Sequence, residues 1–126
     1  MLGLAGGVTL VALWMLSHAS FGIHLAPFNA GLALWTPVVA LVAVAEEIAL
    51  RGVLFDMLRA WRGDGVALAG TTLLFAVMHV PLYGIGSLPL DLAVGLLLGS
   101  LRLVSRGVLA PAIAHGVADL AGGWLP

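Results

Sequence analysis

The sequence predicts an all-α fold: a polytopic membrane helical bundle of about five transmembrane helices, in a single domain spanning 1–126. Two observations carry this. Of 126 residues, 62% are hydrophobic and 9% charged, with a mean hydropathy of +1.16. Soluble domains carry about 25% charged residues, so this chain has too little polar surface to coat a globule in water. The apolar residues also fall into long runs separated by short polar, glycine or proline punctuation. The formal net charge of −1 removes any electrostatic case for nucleic acid. With no cysteine, there is no disulfide framework and no thiolate nucleophile or ligand.

The first predicted helix runs from Leu2 to Ser17. No Lys or Arg precedes its apolar run, as a secretory signal would require, so it is read as retained. The second spans Leu32 to Trp61. "RGDG" then makes a tight turn into a third helix, Val66 to Val80. "VPLYGIGSLP" reads as a longer loop before a fourth, Pro89 to Val104, and "SRG" as a turn before a fifth, Gly107 to Leu120. Several of these fall short of the ~20 residues of a perpendicular crossing. Local bilayer thinning, or a helix end inside a cavity, accommodates that.

Every cation is an arginine. Five crossings put the connections after the second and fourth helices on one side, and Arg59, Arg62, Arg102 and Arg106 are assigned to them. The positive-inside rule makes that side cytoplasmic, with the N-terminus inside and the C-terminus outside. Trp61 at one face, with Trp35 and Trp124 at the other, fits an interfacial aromatic belt. The expected location is an integral protein of the cytoplasmic (inner) membrane.

Within "VVALVAVAEEIALRGVLFDML", Val38 to Leu58, an apolar run carries Glu46, Glu47 and Arg51. Each costs about 2.5–3.5 kcal/mol to insert at a helix centre. At 1.5 Å per residue, Glu46, His79 and Asp119 each lie about 20 Å from the arginine-bearing ends of their helices. His115 lies one turn lower, near Arg51. Three helices thus bring polar residues to one depth. Glu47 and Arg51 are spaced i,i+4 with the acid first, the better order for pairing. His115 and Asp119 share the same spacing, and Phe75 can wall a pocket beside His79. Glu46 is about 100° around the helix from Glu47, so the two are not expected to share a partner. One carboxylate is then free for chemistry while the other is tied to arginine.

Buried polar residues often serve only as interhelical glue, worth about 0.6–2 kcal/mol per bond. That does not offset two adjacent carboxylates, so a functional site is the better reading. His18 and His24 instead read as solvated residues at or in the outer loop. A carboxylate beside two imidazoles in a dry cavity suits activation of water and stabilisation of an oxyanion. The same groups, His79 and His115 with Glu46 or Asp119, also form a candidate set for a divalent metal such as zinc. The chain has no HExxH zinc helix, no GxSG serine loop and no GxGD aspartyl motif within a crossing.

"EEIALRG" at Glu46 to Gly52, "FAVMH" at Phe75 to His79 and "HGVAD" at His115 to Asp119 resemble the EExxxR, FxxxH and HxxxN/D motifs of the CAAX-protease and bacteriocin-processing family. These are the glutamic-type intramembrane endopeptidases. "DLAVGLLLGSLRLVSRGVLAPAIAHGVADL" is also similar to that family's last two core helices. The resemblance covers about 37–120, leaving one extra N-terminal helix. It implies a helical bundle around a membrane cavity and cleavage of a membrane-associated peptide or protein at the bilayer. By position, Glu46 matches the general base and His79 the residue that helps hold the water. His115 and Asp119 match the groups facing the substrate carbonyl, and Glu47 and Arg51 the supporting pair. No cofactor is then required. The chain departs from many members at Asp119, where an asparagine is usual, and at Leu50, where an aromatic residue is. An ionised aspartate cannot donate to an oxyanion, so Asp119 must be protonated, orient His115 or bind metal. Two rivals remain: a non-catalytic member that binds a membrane partner, of immunity or abortive-infection type, and a small proton-coupled transporter subunit. The chain lacks the inverted repeat that transporter folds use.

Overall fold

A computed structural model describes residues 1–21 and 32–124, with the backbone only for 18–21, 32 and 124. His24 therefore lies outside the described residues, as do the side chains of His18 and Trp124. All regular structure among the described residues is helical. The elements are α1 (Leu2–Phe21), α2 (Leu32–Glu47), a π-helical segment (Ile48–Leu54), α3 (Phe55–Arg62), α4 (Asp64–Tyr83), a 3-10 turn (Ile85–Ser87), α5 (Leu88–Ser105) and α6 (Leu109–Trp124). Because α2, the π segment and α3 follow without a break, they make one long rod, and the described residues form five rods.

The predicted helices are all present, with two corrections. The second is not uniformly α: at its centre the Phe55 N–H bonds back to the Leu50 oxygen, the i→i+5 pattern of a π-helix. Such segments are rare and gather at functional sites. Nor is "VPLYGIGSLP" a loop. α4 continues through Pro81 to Tyr83, and the 3-10 turn leads directly into α5. Proline one turn from a helix end removes a single ladder bond, and α4 stops two residues later. Gly84 at φ +80° then closes the helix, its N–H bonded to the Val80 oxygen at 2.8 Å.

Glycine sets the closest helix contacts. A Cβ on Gly3 would lie 2.8 Å from the Ile113 Cβ, and one on Gly7 at the same 2.8 Å from the Val117 Cβ. α1 can therefore lie along α6 at a separation that only a missing side chain permits. The central cluster is Leu10, Leu50, Phe75, Leu98 and Ala114, drawn from every rod. Apolar side chains also cover the outside, including Leu41 and Val42 on α2 and Leu73, Val77 and Met78 on α4. That surface is matched to acyl chains, and two segments, Asp64–Tyr83 and Ile85–Ser105, are long and apolar enough to cross a bilayer. The buried Thr71 hydroxyl is satisfied within its own helix, Oγ1 donating to the Ala67 oxygen at 2.8 Å, whereas Thr72 Oγ1 one residue on finds no partner among the described residues.

Arg102, assigned above to a connection, is a correction of a different kind. It lies within α5, 8% exposed, and its guanidinium is committed to other parts of the bundle. A sequence window shows only that Arg102 is near a helix end, not that its side chain turns inward. Arg59, Arg62 and Arg106 remain exposed at that end.

Candidate active site

Glu47 and Arg51 are completely buried, and Arg51 Nη1 donates to Glu47 Oε1 at 2.8 Å. Placing either charge alone here would cost several kcal/mol, so each is tolerable only with the other. Arg51 is held further by a bond from Nη2 to the Gly95 oxygen at 3.2 Å, and its guanidinium sits 4.7 Å over the Phe75 ring. The same glycine also lets α5 approach α4 closely. A Cβ on Gly95 would lie 3.2 Å from the Thr72 Cα.

His115 is the junction of the site. Its Nδ1 lies 3.0 Å from Glu47 Oε1. A carboxylate paired with arginine only accepts, so Nδ1 carries the hydrogen. The opposite nitrogen, Nε2, lies 3.5 Å from Asp119 Oδ2 and 3.9 Å from Glu46 Oε2. This corrects the expectation that the two glutamates face different partners. They leave the helix in different directions, but an imidazole offers two nitrogens on separate edges, and each glutamate approaches one. The two carboxylates differ in access: the Glu46 side chain is 21% exposed, that of Glu47 fully enclosed.

His79 is set by its own helix. Nδ1 is 2.8 Å from the Phe75 oxygen, and a carbonyl can only accept, so Nδ1 donates and Nε2 of the neutral ring is left as an acceptor. The ring packs on Phe75, with centroids 4.3 Å apart, and stacks on Tyr83 at 5.7 Å. Phe75 meets His115 edge-on at 5.4 Å, so one aromatic ring separates and orients both imidazoles.

Beside these rings lies a cavity of about 90 Å³, room for several waters. His79, His115 and Asp119 line it together with Trp14, Tyr83 and Asp91. Glu46 stands outside that lining and reaches the site through the His115 Nε2 edge. Among the described residues, no three His, Asp or Glu side chains gather as a metal set. Three participants were not singled out from sequence. Tyr83 follows His79 at i+4, a signal hidden by ending the helix at Val80. Asp91 is, in sequence, one polar residue at the head of the apolar run after Pro89. Arg102 donates from Nε to the Arg51 oxygen at 2.7 Å, and from Nη2 to Asp56 at the same 2.7 Å.

Charged groups enclosed by apolar-faced helices lie beside imidazoles that line a small cavity. The family model described as type II CAAX prenyl endopeptidase Rce1-like matches residues 27–121, and the chain belongs to that family. The match agrees with the resemblance drawn from the three motifs and extends it toward the N-terminus. Comparison with curated proteins and with solved structures finds no match.

Proposed function

We propose that this protein is a glutamic-type intramembrane endopeptidase that hydrolyses a peptide bond in a membrane-anchored or membrane-inserted polypeptide tail. The observation that carries the reading is the arrangement around His115: one nitrogen fixed by the buried Glu47, the other turned to the more accessible Glu46 and to Asp119. In this reading Glu46 takes a proton from water, and the oxygen attacks the scissile carbonyl carbon. His79 Nε2, an acceptor facing the cavity, helps hold that water. The oxyanion forms toward His115 and Asp119, where a proton on either group stabilises it. As the C–N bond breaks, Glu46 returns the proton to the leaving amine. Glu47 and Arg51 take no part in the exchange and keep His115 in place. The chain sits in the cytoplasmic membrane with its N-terminus inside, and no metal is required.

The test is cleavage of a library of membrane-inserted peptides by the purified protein in liposomes, read by mass spectrometry. The parent should generate fragments, and Glu46→Gln should generate none while melting at the same temperature, since an amide cannot accept the proton. Fragments from Glu46→Gln at a rate within about threefold of the parent would remove Glu46 as the base.

A further inference from the structure

Asp91 belongs to none of the three motifs and takes no part in the steps above, yet it lines the same cavity. It is 7% exposed, and its Oδ2 has no hydrogen-bond partner among the described residues. Its neighbour Ser87, also on the cavity wall, lies within reach of the Asp91 carboxyl but places its one proton on the Gly84 oxygen at 2.9 Å. The two buried arginines are committed elsewhere, Arg51 to Glu47 and Arg102 to Asp56. No arginine lines the cavity, whereas Asp119 and the rings of Trp14 and Tyr83 do. A buried carboxylate oxygen without a donor is costly, and a ligand cation is one group that would complete it. Carboxylates with aromatic faces are the chemistry that receives an ammonium or guanidinium.

We propose that Asp91 forms an anionic subsite that takes a lysine or arginine side chain of the polypeptide substrate, an inference that rests on the endopeptidase reading. The position suits this. Asp91 is one turn into α5, about 6 Å from the α4–α5 connection. A basic residue at the edge of an apolar substrate segment keeps its stem in the bilayer and its charge at this level. The subsite thus selects which membrane tails are held, while Glu46 and His115 act on the bond.

Binding tests this without relying on turnover. A short apolar peptide carrying one lysine is titrated against the protein in maltoside micelles, beside peptides with norleucine or acetyl-lysine at that position. The readout is quenching of tryptophan fluorescence. The lysine peptide should bind at least about tenfold more tightly than either neutral one, a difference of about 1.4 kcal/mol. Asp91→Asn should reduce the ratio to below about twofold without weakening the norleucine peptide. Equal affinities for lysine and acetyl-lysine on the parent would overturn the proposal without recourse to any variant, and so would an unchanged ratio in Asp91→Asn. Phosphatidylethanolamine in nanodiscs supplies a lipid ammonium. If it displaces the lysine peptide in proportion to its content, the subsite belongs to a headgroup and the substrate assignment falls. Lysine-selective binding with no cleavage of any peptide would instead count against the proteolytic reading and leave the subsite standing.

Discussion

Arg102 Nε donates to the backbone oxygen of Arg51 at 2.7 Å, so one arginine braces the main chain that carries the other. The bond links α5 to the π segment, and Arg102 Nη2 ties the following turn through Asp56 at 2.7 Å. Arg51 therefore reaches Glu47 from a backbone pinned across the bundle.

Removing that brace should loosen the site without touching it. Arg102→Met keeps most of the apolar stem and deletes both bonds, at a cost of about 1.5–3 kcal/mol. Arg102→Lys keeps the charge but cannot span both acceptors with a planar fork, so it should recover only part of the loss. Melting temperatures of the three proteins in detergent test this, and equal values would show that the brace contributes nothing.

The two glutamates should separate by their effect on folding. Glu47→Gln leaves Arg51 buried with no counter-charge, which costs about 3–5 kcal/mol. Glu46→Gln changes a partly exposed carboxylate 3.9 Å from its nearest cationic candidate and should barely move stability. Denaturation of both variants in the same micelle decides it, and a larger loss for Glu46→Gln would invert the assignment.

Asp119→Asn distinguishes water chemistry from metal chemistry. With a metal-free site the amide should retain most activity, because it still donates to an oxyanion, and chelation should leave the parent active. With a metal held by His79, His115 and Asp119, metal content and rate should fall together. Elemental analysis beside the cleavage assay separates the cases, and near-stoichiometric zinc lost in the variant would refute metal-free hydrolysis.

Orientation is open to single cysteines, since the parent has none. A cysteine at Gly65 or Gly107 should be shielded from an impermeant thiol reagent in intact cells, and one at Gly86 should react. The reverse pattern would overturn the orientation assigned from the arginines.

Much of the site was legible because helical spacing is a local property. Glu47 with Arg51, and Phe75 with His79, pair as their i,i+4 spacing requires, and the five rods follow the apolar runs. What stayed hidden depends on neighbours distant in sequence. The meeting of Glu46 and Glu47 at one ring requires α6 to present His115 edge-on. Nothing near Arg102 in sequence shows that its fork reaches the π segment. Tyr83 and Asp91 were masked by Pro81 and Pro89, which read as loop punctuation although the chain there is helical on both sides.

The wide turn between Ile48 and Leu54 has a consequence for how the gene can change. An i→i+5 turn holds one residue more than an α turn. Deleting any residue there can be absorbed by a return to ordinary α pitch, with every backbone bond remade and the insertion hydropathy nearly unchanged. Because the wide turn already holds the extra residue within one revolution, the two halves of the rod would keep nearly the same facing. Glu46 and Glu47 would stay turned to His115, and α3 would stay tied to Arg102 through Asp56. Single-codon losses that spare Arg51 should therefore be tolerated in this turn, whereas the same loss in an ordinary α turn would rotate one half of the rod against the other by about 100°.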